Sequence, residues 1–553
     1  MFANFRKCRV DLLLTAMMFF ALPVLPTIAV VHDQIKREAV ILAINDVYRI
    51  EGVDGGQQGG MGLIRTLRKQ LAQEGSDVLV LHAGDFLFPS LLSRWTQGAH
   101  MVEMMNALDG APGVHDPHMF AVFGNHEFDK SKKKNIDLMQ ARIDQSEFQW
   151  LRSNIQFALK DGSPVVQSDN LRISRMVTIR GVRMGIFGLT TDTKPAHRIA
   201  YIDKFLDPVV VAEAQTRLLR AQGAEVVIAL THLSLEKDRE IFEKLGERGP
   251  DLIIGGHNHQ RKHLEIDGRW ILKADADART ATVVRINMIQ QRPVISFGYR
   301  FLDRTHLKPD PEMQLLVDRT VAEHEAWFCS EHREEAKCLH RTIGMTAVPL
   351  IGEELEIRSH ETNLGNWVTD QVRAMVPDAD IAFINAGSLR LNQNIPSGVI
   401  TQRHLEELLP YNSDLVKIEL DRKQLKGVLE RAAEGWSGKG YWLQVSGFAF
   451  QYDPHKVTGN RVNRISLLRD GELTHLPDRP LQAITYAFLA DGGDGYDMLK
   501  PLRKVSVGGG LKERLREILE ASSKPIQPRV DGRICKIAEI GQRPCAFQIE
   551  ASK

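Results

Sequence analysis

Short apolar runs recur through the first half of the chain, and each stops at a polar residue able to bind a metal. Ala39–Ile44 runs into Asn45-Asp46, Val78–Leu81 into His82-Ala83-Gly84-Asp85, and Phe120–Phe123 into Gly124-Asn125-His126. Val226–Leu230 leads to Thr231-His232, and Leu252–Ile254 to Gly255-Gly256-His257-Asn258-His259. Runs of this length rich in aliphatic and β-branched residues predict buried strands. The stretches Gly62–Glu74 and Val210–Gln222 between them carry the helical spacing of apolar positions. Alternating strands and helices predict an α/β fold with a largely parallel sheet. In such sheets ligand sites gather beyond the carboxyl ends of the strands. That is where these Asp, Asn and His residues fall.

The texture changes near Arg304. Pro311–Cys329 predicts a single helix, and a second α/β region starts near Gly344, with Asn363-Leu364-Gly365-Asn366 opening a helix and Ile381–Ile384 forming a strand that ends at Asn385. The expected organisation is a signal over 1–29, a first domain over 38–305, a linker helix and hinge over 306–342, a second domain over 343–521, and a tail over 522–553 that holds a cysteine pair.

The amino terminus has Arg6, Lys7 and Arg9, then no charged residue from Leu12 to Val31, with Thr27 and Ala29 placed as a cleavage site requires. This layout predicts export to the periplasm or the extracellular space. The alternative is a membrane anchor through residues 12–31; a cleaved signal leaves no stable membrane association. Cys8 lies in that segment, which leaves Cys329, Cys338, Cys535 and Cys545, two close pairs that suit an oxidising compartment. Four cysteines allow three pairings, of which the local one is preferred.

Composition narrows the class of function. The 553 residues include 71 Lys+Arg and 70 Asp+Glu, a formal charge of +1, so the electrostatic footprint of a nucleic-acid binder is missing. Carboxylates, carboxamides and imidazoles after strands suit hard divalent cations or zinc. A two-metal hydrolase needs one acid shared between the ions and terminal ligands around each.

Together, Asp46-Val47-Tyr48, Gly84-Asp85, Gly124-Asn125-His126-Glu127, His232 and Gly256-His257-Asn258-His259 resemble the calcineurin-like metallophosphatase set. The form Gly124-Asn-His-Glu-Phe-Asp129 is similar to that of the exported 5′-nucleotidase family, which includes ecto-5′-nucleotidases and periplasmic UDP-sugar hydrolases. The resemblance implies an N-terminal four-layer αββα metallophosphatase sandwich followed by a C-terminal α/β substrate-binding domain. It implies two divalent metal ions (zinc, manganese, magnesium or cobalt), with Asp85 shared between them. Asp46 and His259 would hold one ion, and Asn125, His232 and His257 the other. His126 would sit beside the phosphate, oriented by Asp129. In the second domain the resemblance assigns Arg358, Asn385, Arg390, Tyr411, Phe488 and Asp494 to the nucleoside: two aromatic rings on the base, Asp494 on the ribose hydroxyls, and the Arg and Asn side chains on base, ribose or phosphate. Stacking of this kind is worth about 1–3 kcal/mol per base.

One position departs from the family. Asp-x-His is usual at the first motif, whereas this chain has Tyr48, and a phenol with pKa near 10 is a poorer ligand than imidazole. The expected activity is hydrolysis of nucleoside 5′-monophosphates to nucleoside and phosphate. UDP-sugar or nucleotide pyrophosphatase and 2′,3′-cyclic phosphodiesterase action on the same site are the alternatives, with a nucleotide-binding surface protein lacking turnover as the rival from another class.

Overall fold

The computed structural model describes residues 37–547 apart from 76, 194, 195, 412 and 509. The signal expected over 1–29 lies outside the described residues. Among the described residues no helix is long and apolar enough to cross a membrane.

Two sheets build the first half. One has seven strands in the order Arg292–Phe301, Thr280–Ile289, Glu38–Ile44, Val78–His82, Met119–Val122, Gln149–Leu151 and Leu171–Arg172. The other has six, in the order Lys262–Ile266, Arg269–Lys273, Leu252–Gly255, Val226–His232, Val182–Thr190 and Ser174–Ile179. The central pairs of both are parallel. Glu38–Ile44 and Val226–His232 are buried at every position, the burial that a parallel strand covered on both faces requires.

Three apolar layers hold the sheets together. Ile41, Leu79, Leu81, Phe120 and Val122 of the first sheet pack on Ile186, Ile228, Leu230 and Ile254 of the second. The outer face of the first sheet is covered by helix Met61–Gln73 and its neighbours through Leu63, Ile64, Leu67 and Met101. The outer face of the second is covered by Pro208–Ala221 and Leu235–Leu245 through Leu219, Ile241 and Phe242. The result is the four-layer αββα sandwich. Helix Pro208–Ala221 starts where its residues say it should: Asp207 accepts the N–H groups of Val209 and Val210, and Pro208 occupies the first turn.

Helix Pro311–Glu331, capped by Asp310, lies against this sandwich, with Asp310 paired to Arg65 at 3.3 Å and to Lys69 at 2.5 Å. Beyond it, a five-stranded sheet runs in the order Leu443–Ser446, Ile381–Asn385, Leu481–Tyr486, Leu415–Leu420 and Val505–Gly508. Helix Asn363–Ala374 opens at Thr362, whose hydroxyl accepts the Gly365 N–H. A second sheet of four strands ends with Ile534–Lys536, which pairs in parallel with Phe448–Tyr452 and so ties the last segment into this half. Both local cysteine pairs are disulfides, Cys329–Cys338 and Cys535–Cys545, with Cα atoms 5.6 and 5.0 Å apart.

Candidate metal centre and nucleotide site

The loops after five parallel strands meet at one end of the sandwich. Asp46 and Asp85 follow the first two strands, Asn125 and His126 the third, His232 ends a strand of the second sheet, and His257 and His259 follow its neighbour. Asp46, Asp85, His257 and His259 all have left-handed backbones, with φ of 52°, 58°, 74° and 58°. Non-glycine residues hold such conformations only where the surroundings enforce them, and functional sites are the usual place. The loops also approach too closely for side chains at two glycines. A Cβ on Gly124 would stand 2.1 Å from Asp85 Oδ1, and one on Gly256 2.5 Å from the Ala83 carbonyl.

Asp85 is the hub. Its Oδ1 accepts the His126 backbone N–H at 2.7 Å, and its Oδ2 lies 3.1 Å from His232 Nε2 and 3.3 Å from the Tyr48 hydroxyl. His259 Nε2 stands 3.2 Å from Asp46 Oδ1 and 3.3 Å from the Tyr48 hydroxyl. His232 Nδ1 meets the Ala83 carbonyl at 2.7 Å, which turns Nε2 toward the two acids. His257 Nδ1 lies 3.0 Å from Asn125 Oδ1, pairing those two at one side, and His126 Nδ1 lies 3.0 Å from Asp129 Oδ2.

A divalent cation fits this donor set. Asp46 Oδ1 and His232 Nε2 are buried in close ionic contacts but make no well-aligned hydrogen bond, and ligand atoms of Asp46, Asp85 and His259 lie within 4.8 Å of one another. The electrostatics agree. Burial disfavours charge throughout, yet the imidazoles of His232 and His126 overcome it and hold the Asp85 carboxyl well below the usual range. Burial likewise opposes a charged His232, but Asp85 and Asp46 pull it up to about 9. His259, also buried, is raised to about 10 by Glu354 and Asp46. The two buried carboxylates thus draw positive charge onto His232 and His259, a condition a cation relieves, whereas burial and the nearby His232 push His257 well below its ordinary value. Tyr48 responds in the other direction: burial, then the charges of Asp85 and Asp46, push its phenol well above 10, so it is a neutral donor to Asp85.

Two buried acids escaped the sequence reading. Glu127 accepts the N–H groups of Asp85, Phe86, Leu87 and Gly124. Its place in the Gly-Asn-His-Glu string was the available signal, since a fully buried acid there needs partners. Glu354 comes from the C-terminal half and meets His259 Nδ1; nothing in the linear sequence indicates it.

Of the residues expected to read the nucleoside, Arg358, Arg390 and Tyr411 lie within electrostatic reach of this centre. Glu354 pairs with Arg358 at 2.5 Å, and Asn385 Nδ2 donates to Asp494 Oδ2 at 2.8 Å. Arg390 donates to the Gly387 carbonyl at 2.7 Å and lies near the carboxylates of Glu354 and Asp129 and the phenols of Tyr411 and Tyr48. Tyr411 and Phe488 keep 45% and 53% of their surface exposed, among the most open large apolar side chains, which a core role does not explain. Beneath Phe488, a Cβ on Gly493 would come within 2.5 Å of the ring.

Comparison with known proteins matches these halves separately. Residues 39–261 match the calcineurin-like phosphoesterase family, and residues 342–501 match the 5′-nucleotidase C-terminal domain. A phosphoesterase domain of this kind implies divalent metal ions. Among curated proteins, the chain is 26% identical to protein 5NUC of Lutzomyia longipalpis, over 90% of this chain and 92% of that protein. It is also 26% identical to the snake venom 5′-nucleotidase of Naja atra, over 84% and 92%. Its fold is that of the 5′-nucleotidase precursor from Thermus thermophilus, with a TM-score of 0.73 at 22% identity, covering 90% of this chain and 99% of that one. With both domains present in that order over nearly the whole of these relatives, the chain belongs to the 5′-nucleotidase family of phosphoric ester hydrolases.

Proposed function

We propose that this protein is an exported nucleotidase that hydrolyses nucleoside 5′-monophosphates to nucleoside and phosphate, using two divalent ions. The observation that carries the reading is Asp85, whose carboxylate touches His232 and Tyr48 on one oxygen and the His126 backbone on the other. A single acid between two groups of donors suits a pair of ions sharing one ligand. Asp46 and His259 would hold one ion, Asn125, His232 and His257 the other. Bound, the ions supply positive charge to the phosphoryl oxygens and lower the pKa of the attacking water.

The side chains account for the rest. Asp129 accepts from His126 Nδ1 at 3.0 Å, which fixes the ring and directs Nε2 toward the phosphate, where it steadies developing charge or protonates the leaving oxygen. Arg390 and Arg358 add positive charge close to Tyr48 and the centre. Tyr411 and Phe488 offer ring faces to the base, and Asp494, held by Asn385, offers carboxylate oxygens to the ribose hydroxyls. The neutral Tyr48 keeps Asp85 hydrogen-bonded and does not displace it, which favours turnover over binding alone.

Product analysis with Mn²⁺, Mg²⁺, Co²⁺ or Zn²⁺ tests the reading: AMP and UMP yield nucleoside and phosphate, UDP-glucose yields UMP and glucose 1-phosphate, and 2′,3′-cyclic AMP yields a ring-opened monophosphate. The monophosphates are expected to be hydrolysed fastest. Faster release of UMP from UDP-glucose transfers the assignment to a pyrophosphatase. Binding without any hydrolysis transfers it to a nucleotide-binding protein.

A further inference from the structure

His259 is held from the opposite half of the molecule. Its Nε2 faces Asp46 Oδ1 at 3.2 Å, while its Nδ1 meets Glu354 Oε2. Glu354 opens the short helix Glu354–Ile357, and its other oxygen stands 2.5 Å from Arg358 Nη1. All three groups are largely enclosed, with side-chain exposures of 10% for His259, 5% for Glu354 and 11% for Arg358. One buried carboxylate therefore joins an imidazole of the metal centre to a guanidinium of the nucleotide site.

We propose that Glu354 is a positioning residue that couples metal retention at His259 to nucleoside binding at Arg358. The proposal rests on the nucleotidase reading and extends it. An imidazole that ligates through Nε2 must keep its proton on Nδ1, and an acceptor at Nδ1 enforces that tautomer. A carboxylate there also raises the basicity of the ligating nitrogen, and loss of such a partner typically costs about 10–100-fold in metal affinity or activity. Arg358 supplies the charge that lets an acid remain ionised at this depth. Because Arg358 and His259 share that acid, a nucleoside that engages Arg358 shifts the hydrogen bonding of Glu354 toward His259. Linkage is reciprocal: a nucleoside that tightens the metal is itself tightened by the metal.

The test uses the full chain stripped of metal, with bound Mn²⁺ counted by loss of the free-ion resonance signal, in the presence and absence of adenosine. Adenosine carries no phosphate to touch the ions. The wild type is expected to bind Mn²⁺ about fivefold or more tightly with adenosine present. Glu354→Gln is expected to weaken one Mn²⁺ site by about 10–100-fold, to lose the adenosine effect, and to recover turnover of AMP as Mn²⁺ is raised. Glu354→Asp, which keeps the charge but is shorter, is expected to fall between them and guards against a folding defect of the first variant. Wild-type Mn²⁺ affinity in both variants, or an activity loss that Mn²⁺ does not restore, overturns the proposal and leaves the nucleotidase reading intact. A wild type that binds no Mn²⁺ and releases no phosphate from AMP removes both.

Discussion

The Glu127 carboxylate accepts the backbone N–H of Asp85 at 2.9 Å and, with the same group, the N–H of Gly124 at 2.6 Å, so one buried side chain ties together the loops after two neighbouring strands. Phe86 and Leu87 donate to it as well, at 2.8 and 3.0 Å. The left-handed turn at Asp85 persists because these donors have no other partner of equal strength. Glu127→Ala leaves four buried N–H groups unpaired, and each costs roughly 1–3 kcal/mol. Chemical denaturation should show a loss of about 3 kcal/mol or more, with turnover falling even where the variant remains folded. Stability within about 0.5 kcal/mol of the wild type would mean that the loop does not depend on Glu127.

Tyr48 stands where the first motif of the resembled family usually has a histidine, and its hydroxyl donates to Asp85 at 3.3 Å. Tyr48→Phe removes one neutral hydrogen bond, a change of about 0.5–1.5 kcal/mol, so kcat should fall only about 2–10-fold. Tyr48→His places a nitrogen donor beside Asp46 and His259, and is expected to keep activity while binding the first ion more tightly in chelator competition. Loss of turnover in Tyr48→His with two ions still bound would assign the phenol a role imidazole cannot fill.

A buried lysine holds the two histidine loops of the second sheet. Lys273 Nζ donates to the carbonyls of Leu233 and Gly256, at 2.6 and 2.8 Å, and pairs with Asp238 at 2.7 Å. These carbonyls adjoin His232 and His257. Lys273→Met removes the cation that offsets the burial of Asp238, leaving that carboxyl only the Thr231 hydroxyl, and should cost about 3–5 kcal/mol in denaturant unfolding. Adding Asp238→Leu should return much of that stability, since an apolar pair replaces the ion pair, but not the activity, because the loops remain unclamped. Recovery of both would show that the clamp is dispensable.

Stability should also depend on Glu361. Burial, and then the charge of Asp531, raises its carboxyl from 4.5 to about 7, while it accepts the N–H groups of Asp531 and Ile534 at 2.8 and 3.2 Å. The folded state therefore holds a proton that the unfolded chain has released between pH 4.5 and about 7. The contribution of Glu361 to stability must fall as pH rises through that window, by roughly 3 kcal/mol at most. Denaturation of the wild type and of Glu361→Gln across pH 4.5–7.5 checks the sign: the wild type should lose stability relative to the variant as pH rises. A difference that is flat or of opposite slope contradicts it.

Much of this was legible in the sequence because of where parallel strands put their residues. Strands such as Glu38–Ile44 are buried on both faces, so they read as unbroken apolar runs, and the first polar residues past their ends, Asp46 and Asp85 among them, arrive at one edge of the sandwich. The disulfides were legible as a preference because their partners lie only 9 and 10 residues apart. What could not be read is what depends on distant packing. Glu354 is 95 residues from His259, and no periodicity links them. Tyr48 was legible as an exception but not as a neutral donor, since that follows from its complete enclosure beside two carboxylates. Glu127 was legible only as part of its motif and Lys273 not at all, since the role of each depends on burial against distant loops.

The role of the Asp85 cluster as the metal centre of a nucleotidase stands or falls on phosphate release from AMP before chelation, after chelation, and after Mn²⁺ is returned, in the wild type and in Asp85→Asn. Chelation should abolish release, Mn²⁺ should restore it in the wild type, and Asp85→Asn should stay nearly inactive at any metal concentration. Release that survives chelation, or an Asp85→Asn protein that turns over AMP at the wild-type rate, would contradict it.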